Sequence, residues 1–368
     1  MTNKNRVVTR RTALGGLIGA GAAVAFGGSN HRASAESLPR LGQRSIAARR
    51  RFFGASNVDS GTGAVRADRV VISWLGCTTY AMAMRGSVFL LDAWVPRGTV
   101  SGYVPTDPDE VADLRLDAIF IGHGHFDHAA DAGRIAEASG AAVYGSAEHC
   151  AAIRKSVDTP TVRYIELGDA AKPVGDRQDF EVAGVSVTAI RHLHSTPTAP
   201  EPAPEGSPPF FPTPNTSDIV AHPPELDDAT TLVRHLFDAE GGSILYQFRI
   251  PGFAVVWHDT AGPLSVRAPH VLAQLHELPP TDVHLGAIQG FGQFTNGLRD
   301  PREYIDAVDA RVFVPGHHDN FVPGISARGE TYEAPLRAEL ARLTSPPELR
   351  MMSDPSDYLS PELLTFSL

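Results

Sequence analysis

A layered α/β or α+β domain is predicted by two features of this chain. Short β-branched runs alternate with alanine-rich helical stretches, and clusters of histidine and aspartate stand directly behind several of the apolar runs. Strands are predicted at Arg69–Trp74, Val88–Ala93, Ala118–Gly122, Ala141–Tyr144, Val162–Glu166, Val185–Arg191, Ser243–Ile250, Phe253–Trp257, Val283–Ala287 and Arg311–Val314. Ala183-Gly184 and Pro251-Gly252 read as hairpin turns between apolar runs. Helices are predicted at Ala129–Ser139, Ala147–Val157, Ser265–Glu277, Pro301–Val308 and Ala334–Leu343.

Composition narrows the function. The formal charge of -10 gives no basic surface for a polyanion, so nucleic acid is excluded as the main partner and a small-molecule substrate is expected. Cys77 and Cys150 are too few for a disulfide framework. At the N-terminus, Arg10 and Arg11 precede an apolar, glycine-rich run from Leu14 to Phe26, and Ala33-Ser34-Ala35 offers a cleavage site. Residues 1–35 therefore resemble a twin-arginine signal peptide, which implies the Tat export machinery as a partner and a periplasmic or secreted product. The apolar run is too short for a stable membrane span. Residues 36–67, including the arginine-rich 47–54, read as linker or surface, and residues 68–368 as the functional domain.

The chemistry concentrates at strand ends. Residues 122–128 read Gly-His-Gly-His-Phe-Asp-His, and by a product of residue frequencies such a set arises by chance in about one of a thousand chains of this composition. His123 and His125 are two apart, so at the end of an extended strand both leave on one side and can grip one metal ion. Asp127 and His128 follow at the turn into a helix, where adjacent side chains point differently and can serve a second ion. His192 and His194 follow another strand, Asp259 a third, and His317 and His318 a fourth. Loops at strand ends are where layered folds assemble sites.

This order of motifs resembles the metallo-β-lactamase fold hydrolases, and Val71–Met82 with Val88–Trp94 resembles the branch of ascorbate-6-phosphate lactonases and N-acyl-phosphatidylethanolamine phospholipase D. The resemblance implies a four-layer αββα sandwich and two divalent ions, Zn2+ foremost. It implies that His123, His125 and His194 hold one ion, that Asp127, His128 and His317 hold the other, and that Asp259 bridges them. His194 is preferred to His192 and His317 to His318. The chain departs from the branch at Cys77, where histidine is common, at Ala93, where proline is common, and at His258, which takes a glycine position.

Two ions roughly 3.5–4 Å apart lower the pKa of a bridging water toward about 7, supplying hydroxide for attack on an ester, lactone, amide or phosphodiester. Asp127, His192 and His258 are the catalytic candidates, the last two as proton donors or supports. The rival expectations are an iron-dependent oxidoreductase on the same fold and a non-catalytic extracytoplasmic binding protein. Residues 197–224 carry ten prolines and read as a loop insertion, with Phe210 and Phe211 suggesting a lid over an apolar or acyl moiety. Phe291, Phe294, Gln289 and Asn296 are further candidate substrate contacts.

Overall fold

The computed structural model describes residues 41–157, 161–202 and 206–368, all within the unit Leu38–Leu368. The expected signal peptide, residues 1–35, lies outside the described residues. Among the described residues, fourteen strands form two seven-stranded sheets. The first runs β14 (Thr365–Ser367), β1 (Arg69–Trp74), β2 (Tyr80–Met84), β3 (Ser87–Leu91), β4 (Ala118–Phe120), β5 (Ala142–Gly145) and β6 (Tyr164–Glu166). The second runs β13 (Glu348–Leu349), β12 (Val312–Gly316), β11 (Val283–Ala287), β10 (Phe253–His258), β9 (Ser243–Ile250), β8 (Val185–His192) and β7 (Arg177–Val182).

Connection length decides direction in both sheets. Tight turns join the antiparallel pairs β1–β2, β2–β3, β7–β8 and β9–β10, the long segment 193–242 joins the antiparallel β8 and β9, and helical crossovers make β3–β6 and β10–β13 parallel. The crossover helices cover the outer faces: Pro108–Asp113, Ala132–Ser139 and Ala147–Lys155 on the first sheet, and Pro269–His276 and Arg299–Val308 on the second. The result is the expected αββα order. Apolar side chains of both sheets, including Val71, Phe89, Phe120, Phe248, Val255, Trp257 and Val314, form the central core.

The two-residue period of the strands sorts the histidines of the second sheet. Val255 and Trp257 enter the central core, whereas Val256 and Leu245 pack under the outer helices. His192, His258 and His284 share that outer side, fully buried, with Tyr304 of the helix Arg299–Val308 against them. His192 Nδ1 lies 2.8 Å from the Tyr304 hydroxyl, and His258 Nδ1–H donates to the Thr260 carbonyl at 2.8 Å.

Several expectations need correction. The stretch read as linker or surface contains a helix, Gln43–Phe53, which seats Phe52 and Phe53 in the core and points Arg49 at the carbonyls of Leu114, Gly63 and Arg115. Strand β2 went unread because Tyr-Ala-Met-Ala-Met lacks β-branched residues, and β7 because an edge strand with one wet face is mostly polar. Ala268 and Pro269 divide the predicted helix 265–277 into Leu264–Arg267 and Pro269–His276. Within the proline-rich segment a short helix forms at Thr216–Ala221, and Phe210 packs edge-on against Tyr332 at 4.9 Å.

Burial lowers His258 from 6.5 to about 4, so the unfolded chain takes up its proton first as pH falls. Stability from this group is complete above pH 6.5 and is lost on acidification toward 4; at pH 5 the loss is about 2 kcal/mol. Thermal melts of the metal-free protein are expected to drop between pH 7 and 5. His258→Asn, which retains a donor to Thr260, should flatten that drop, and an unaltered slope would contradict the assignment.

Candidate metal centre

The strand ends of both sheets converge on one cluster. β4 delivers the loop with His123 and His125, β8 delivers His194, β10 delivers Asp259 and β12 delivers His317, while Asp127 and His128 lie in the turn Phe126–Ala129. Ligating atoms of His123, His125 and His194 fall within 4.8 Å of one another, as do those of Asp127, His128 and His317. His123 Nε2 stands 2.9 Å from His125 Nδ1, and His317 Nε2 stands 3.2 Å from His128 Nε2 and 3.3 Å from Asp127 Oδ2. Imidazole nitrogens so close share a proton or a cation.

Asp259 joins the two triads. Its Oδ2 accepts from His123 Nδ1 at 2.8 Å and lies 3.4 Å from His128 Nδ1, while Oδ1, wholly buried, has no hydrogen-bond partner among the described residues. Asp92 supports His128 in a comparable way. It accepts from His128 Nδ1 at 2.7 Å and from the Thr78 hydroxyl at 2.6 Å, leaving His128 Nε2 to face the cluster. Sequence alone did not assign Asp92 this part. The signal was available, since Asp92 follows an apolar strand just as Asp259 does.

The glycines of the motif are explained by close approach. A Cβ at Gly122 would overlap the Asp259 carboxyl group, and one at Gly124 would strike the Ala239 carbonyl. Gly124 N–H donates to the Glu240 carbonyl at 2.9 Å, and His149 Nε2–H reaches the same oxygen at 2.9 Å. His317 takes a left-handed φ of 58°, sustained by its N–H donating to the Cys77 carbonyl at 2.9 Å.

The electrostatics fit cations. Burial pushes His123 and His128 well below the usual histidine range, so both are neutral donors at pH 7. Burial pushes Asp259 up, and burial with the Asp259 charge pushes Asp92 up. Burial would raise Asp127 too, but His128, His317 and His125 outweigh it and hold that carboxyl below its ordinary value. Buried carboxylates with an unsatisfied oxygen and neutral imidazoles turned toward one another are the donor set of a divalent metal site.

Other candidates are placed elsewhere. His192 and His258 sit on the helix side of the second sheet against Tyr304 and are not among the grouped donors, although His192 lines the cleft beside His125 and His194. A two-residue period pairs His192 with His194, but β8 ends at His192 and His194 lies beyond the strand. His318 stacks on Trp74 and donates to the Met352 carbonyl at 2.8 Å. Asn296 is committed to the proline-rich segment, its side chain bonding Thr198, Ala199 and the N–H of Glu201. Phe291 stands at the cluster, 6.3 Å from His194 between ring centres, in a cleft of about 640 Å³ that also includes His125, Lys172, Arg191 and Arg267. Phe211 and Phe294 stack on each other at 5.3 Å and remain largely exposed.

Fold and site define a metallo-β-lactamase-fold protein, and the comparisons agree. The Metallo-beta-lactamase superfamily profile matches residues 102–203, a span holding His123, His125, Asp127, His128 and His194. It is similar to a UPF0173 metal-dependent hydrolase of Pyrobaculum neutrophilum, 32% identical over 37% of this chain and 54% of the relative. Another, from Myxococcus xanthus, is 28% identical over 66% of this chain and 76% of its own length. The match thus spans about half the length of the first relative. The solved structure of Igni18, a metallo hydrolase from Ignicoccus hospitalis, superposes with a TM-score of 0.50 at 18% identity, covering 77% of this chain and 95% of that one, which supports the fold.

Gly122→Ala is expected to displace the Asp259 carboxylate and to cost about 1–3 kcal/mol of stability through overpacking. Calorimetric titration with Zn2+ checks it: affinity should fall at least about tenfold, as for removal of a supporting group. Unchanged affinity would contradict the close packing of Gly122 and Asp259.

Proposed function

We propose that this protein is a hydrolase dependent on two divalent metal ions, with zinc as the working metal. The observation that carries the reading is the pair of adjacent donor triads joined by a buried aspartate whose Oδ1 is unpartnered among the described residues. His123, His125 and His194 would hold one ion and Asp127, His128 and His317 the other, with Asp259 placed to serve both. When bound, such ions supply Lewis acidity and make water nucleophilic at neutral pH.

The chain's own groups do the rest. Asp127, kept ionised by the imidazoles around it, can accept a hydrogen bond from the attacking water and fix its direction. Asp92 and Thr78 hold His128 in one tautomer, and Asp259 does so for His123. Trp94, Phe126 and Phe321 pack together beside the second triad and limit water on that side.

The bond attacked is an ester, lactone, amide or phosphodiester in a small molecule, and exposed Phe291 suits an apolar or acyl portion of it. The twin-arginine pattern of residues 1–35 supports export by the Tat machinery to the periplasm or beyond. No helix among the described residues is long and apolar enough to cross a membrane.

A panel of lactones, esters, N-acyl amides and phosphodiesters, assayed on the zinc-loaded protein, tests the reading. Turnover of at least one class is expected, and His123→Ala should lower kcat/KM by about a hundredfold or more. Phe291→Ala should raise KM several-fold and leave kcat nearly unchanged. Native protein containing iron alone, with redox activity and no hydrolysis, would replace this reading with the oxidoreductase.

A further inference from the structure

Cys77 lies in the turn between β1 and β2, remote in sequence from every histidine of the cluster. Its side chain is wholly buried, and its sulfur lies within 4.8 Å of ligating atoms of Asp127, His128 and His317, which are equally close to one another. We propose that Cys77 is a thiolate ligand of the second ion, alongside Asp127, His128 and His317; the inference rests on the two-ion reading above.

Three observations carry it. The sulfur's polar neighbours are those of its own turn: the Thr78 backbone N–H, and the Thr78 hydroxyl at 4.0 Å, whose one proton is drawn to Asp92 2.6 Å away. The backbone is held in place from several sides. Cys77 N–H points at both oxygens of Asp319, 3.0 and 3.1 Å away, and its carbonyl accepts from Trp74 Nε1 at 3.1 Å and from His317 N at 2.9 Å. Asp319 is in turn fixed by the Tyr358 hydroxyl. These bonds sustain a left-handed φ of 50° at a residue with a side chain, a strained conformation that aims the sulfur at the triad rather than into the general core. Trp94 and Phe321 pack against Cys77 and keep water from it.

A thiol that coordinates a divalent cation is deprotonated by it. On binding, a sulfur–metal bond forms, the S–H bond breaks and the proton leaves to solvent. A soft donor among nitrogen and oxygen ligands favours Zn2+ or Co2+ over Mg2+ or Mn2+.

Titration of the metal-free full chain with Co2+ tests this without reference to activity. The wild type should develop the near-ultraviolet thiolate-to-cobalt charge-transfer band together with visible ligand-field bands. Cys77→Ser and Cys77→Ala should keep the visible bands, lose the charge-transfer band, release about one proton fewer per chain and bind one of the two ions at least about tenfold more weakly. Cys150→Ala, which alters the other cysteine, and His125→Ala, in the opposite triad, should retain the charge-transfer band. Visible bands without a charge-transfer band in the wild type, or a band that survives in Cys77→Ser, would overturn the cysteine assignment alone. Absence of every band would overturn the two-ion reading along with it.

Discussion

Three carboxylates, Asp92, Asp127 and Asp259, meet below the surface within reach of His128, and the rest of the site depends on how that charge is accommodated. Buried anions are costly unless paired, and here no Lys or Arg among the described residues supplies the pairing: their partners are imidazoles, Thr78 and backbone N–H groups. Burial drives His123 and His128 neutral, so these two cannot supply permanent positive charge. A divalent cation satisfies both requirements at once, neutralising the carboxylates and accepting the imidazole lone pairs.

The fold exists in the form that this cluster requires. Each sheet contributes strands whose ends carry the ligands, and the two sheets pack through an apolar core of large side chains that fixes their spacing. Loops that would otherwise be free are tied across the sheets. Ile244 N–H reaches the Gly122 carbonyl, Gly124 N–H reaches Glu240, and Tyr246 Oη donates to the Ile121 carbonyl. His317 and Cys77 are joined in the same way by their backbones. Rigid placement of donors is what limits the site to ions of matching size and charge.

Much of this was legible in the sequence because strands delivering ligands are apolar runs with abrupt polar ends. The residues behind β4, β8, β10 and β12 stand out by that contrast, and they are the ones the structure brings together. Spacing by two holds for one pair and not for the other: His123 and His125 do meet, whereas β8 ends at His192, so His192 and His194 face different surroundings. His258 and His318 share the composition of the site without its position: His258, the last residue of β10, faces the opposite layer from Asp259's cluster, and His318 follows the left-handed His317 and turns onto Trp74. Asp92 and Cys77 were seen as departures or motif residues, not as partners, because their contacts join segments far apart in the chain. The helix Gln43–Phe53 was missed for a related reason. Its arginines dominate the composition, and nothing local reveals that Arg49 finds three carbonyls and that the two phenylalanines enter the core.

The central claim is that one buried aspartate joins two metal-holding triads. Anomalous diffraction from crystals of the zinc-loaded protein, measured on both sides of the zinc edge, addresses it directly. The account predicts two zinc peaks, one bonded to His123, His125 and His194 and the other to Asp127, His128 and His317, with Asp259 touching both. A single peak at full zinc occupancy, or zinc bound away from Asp259, would contradict it.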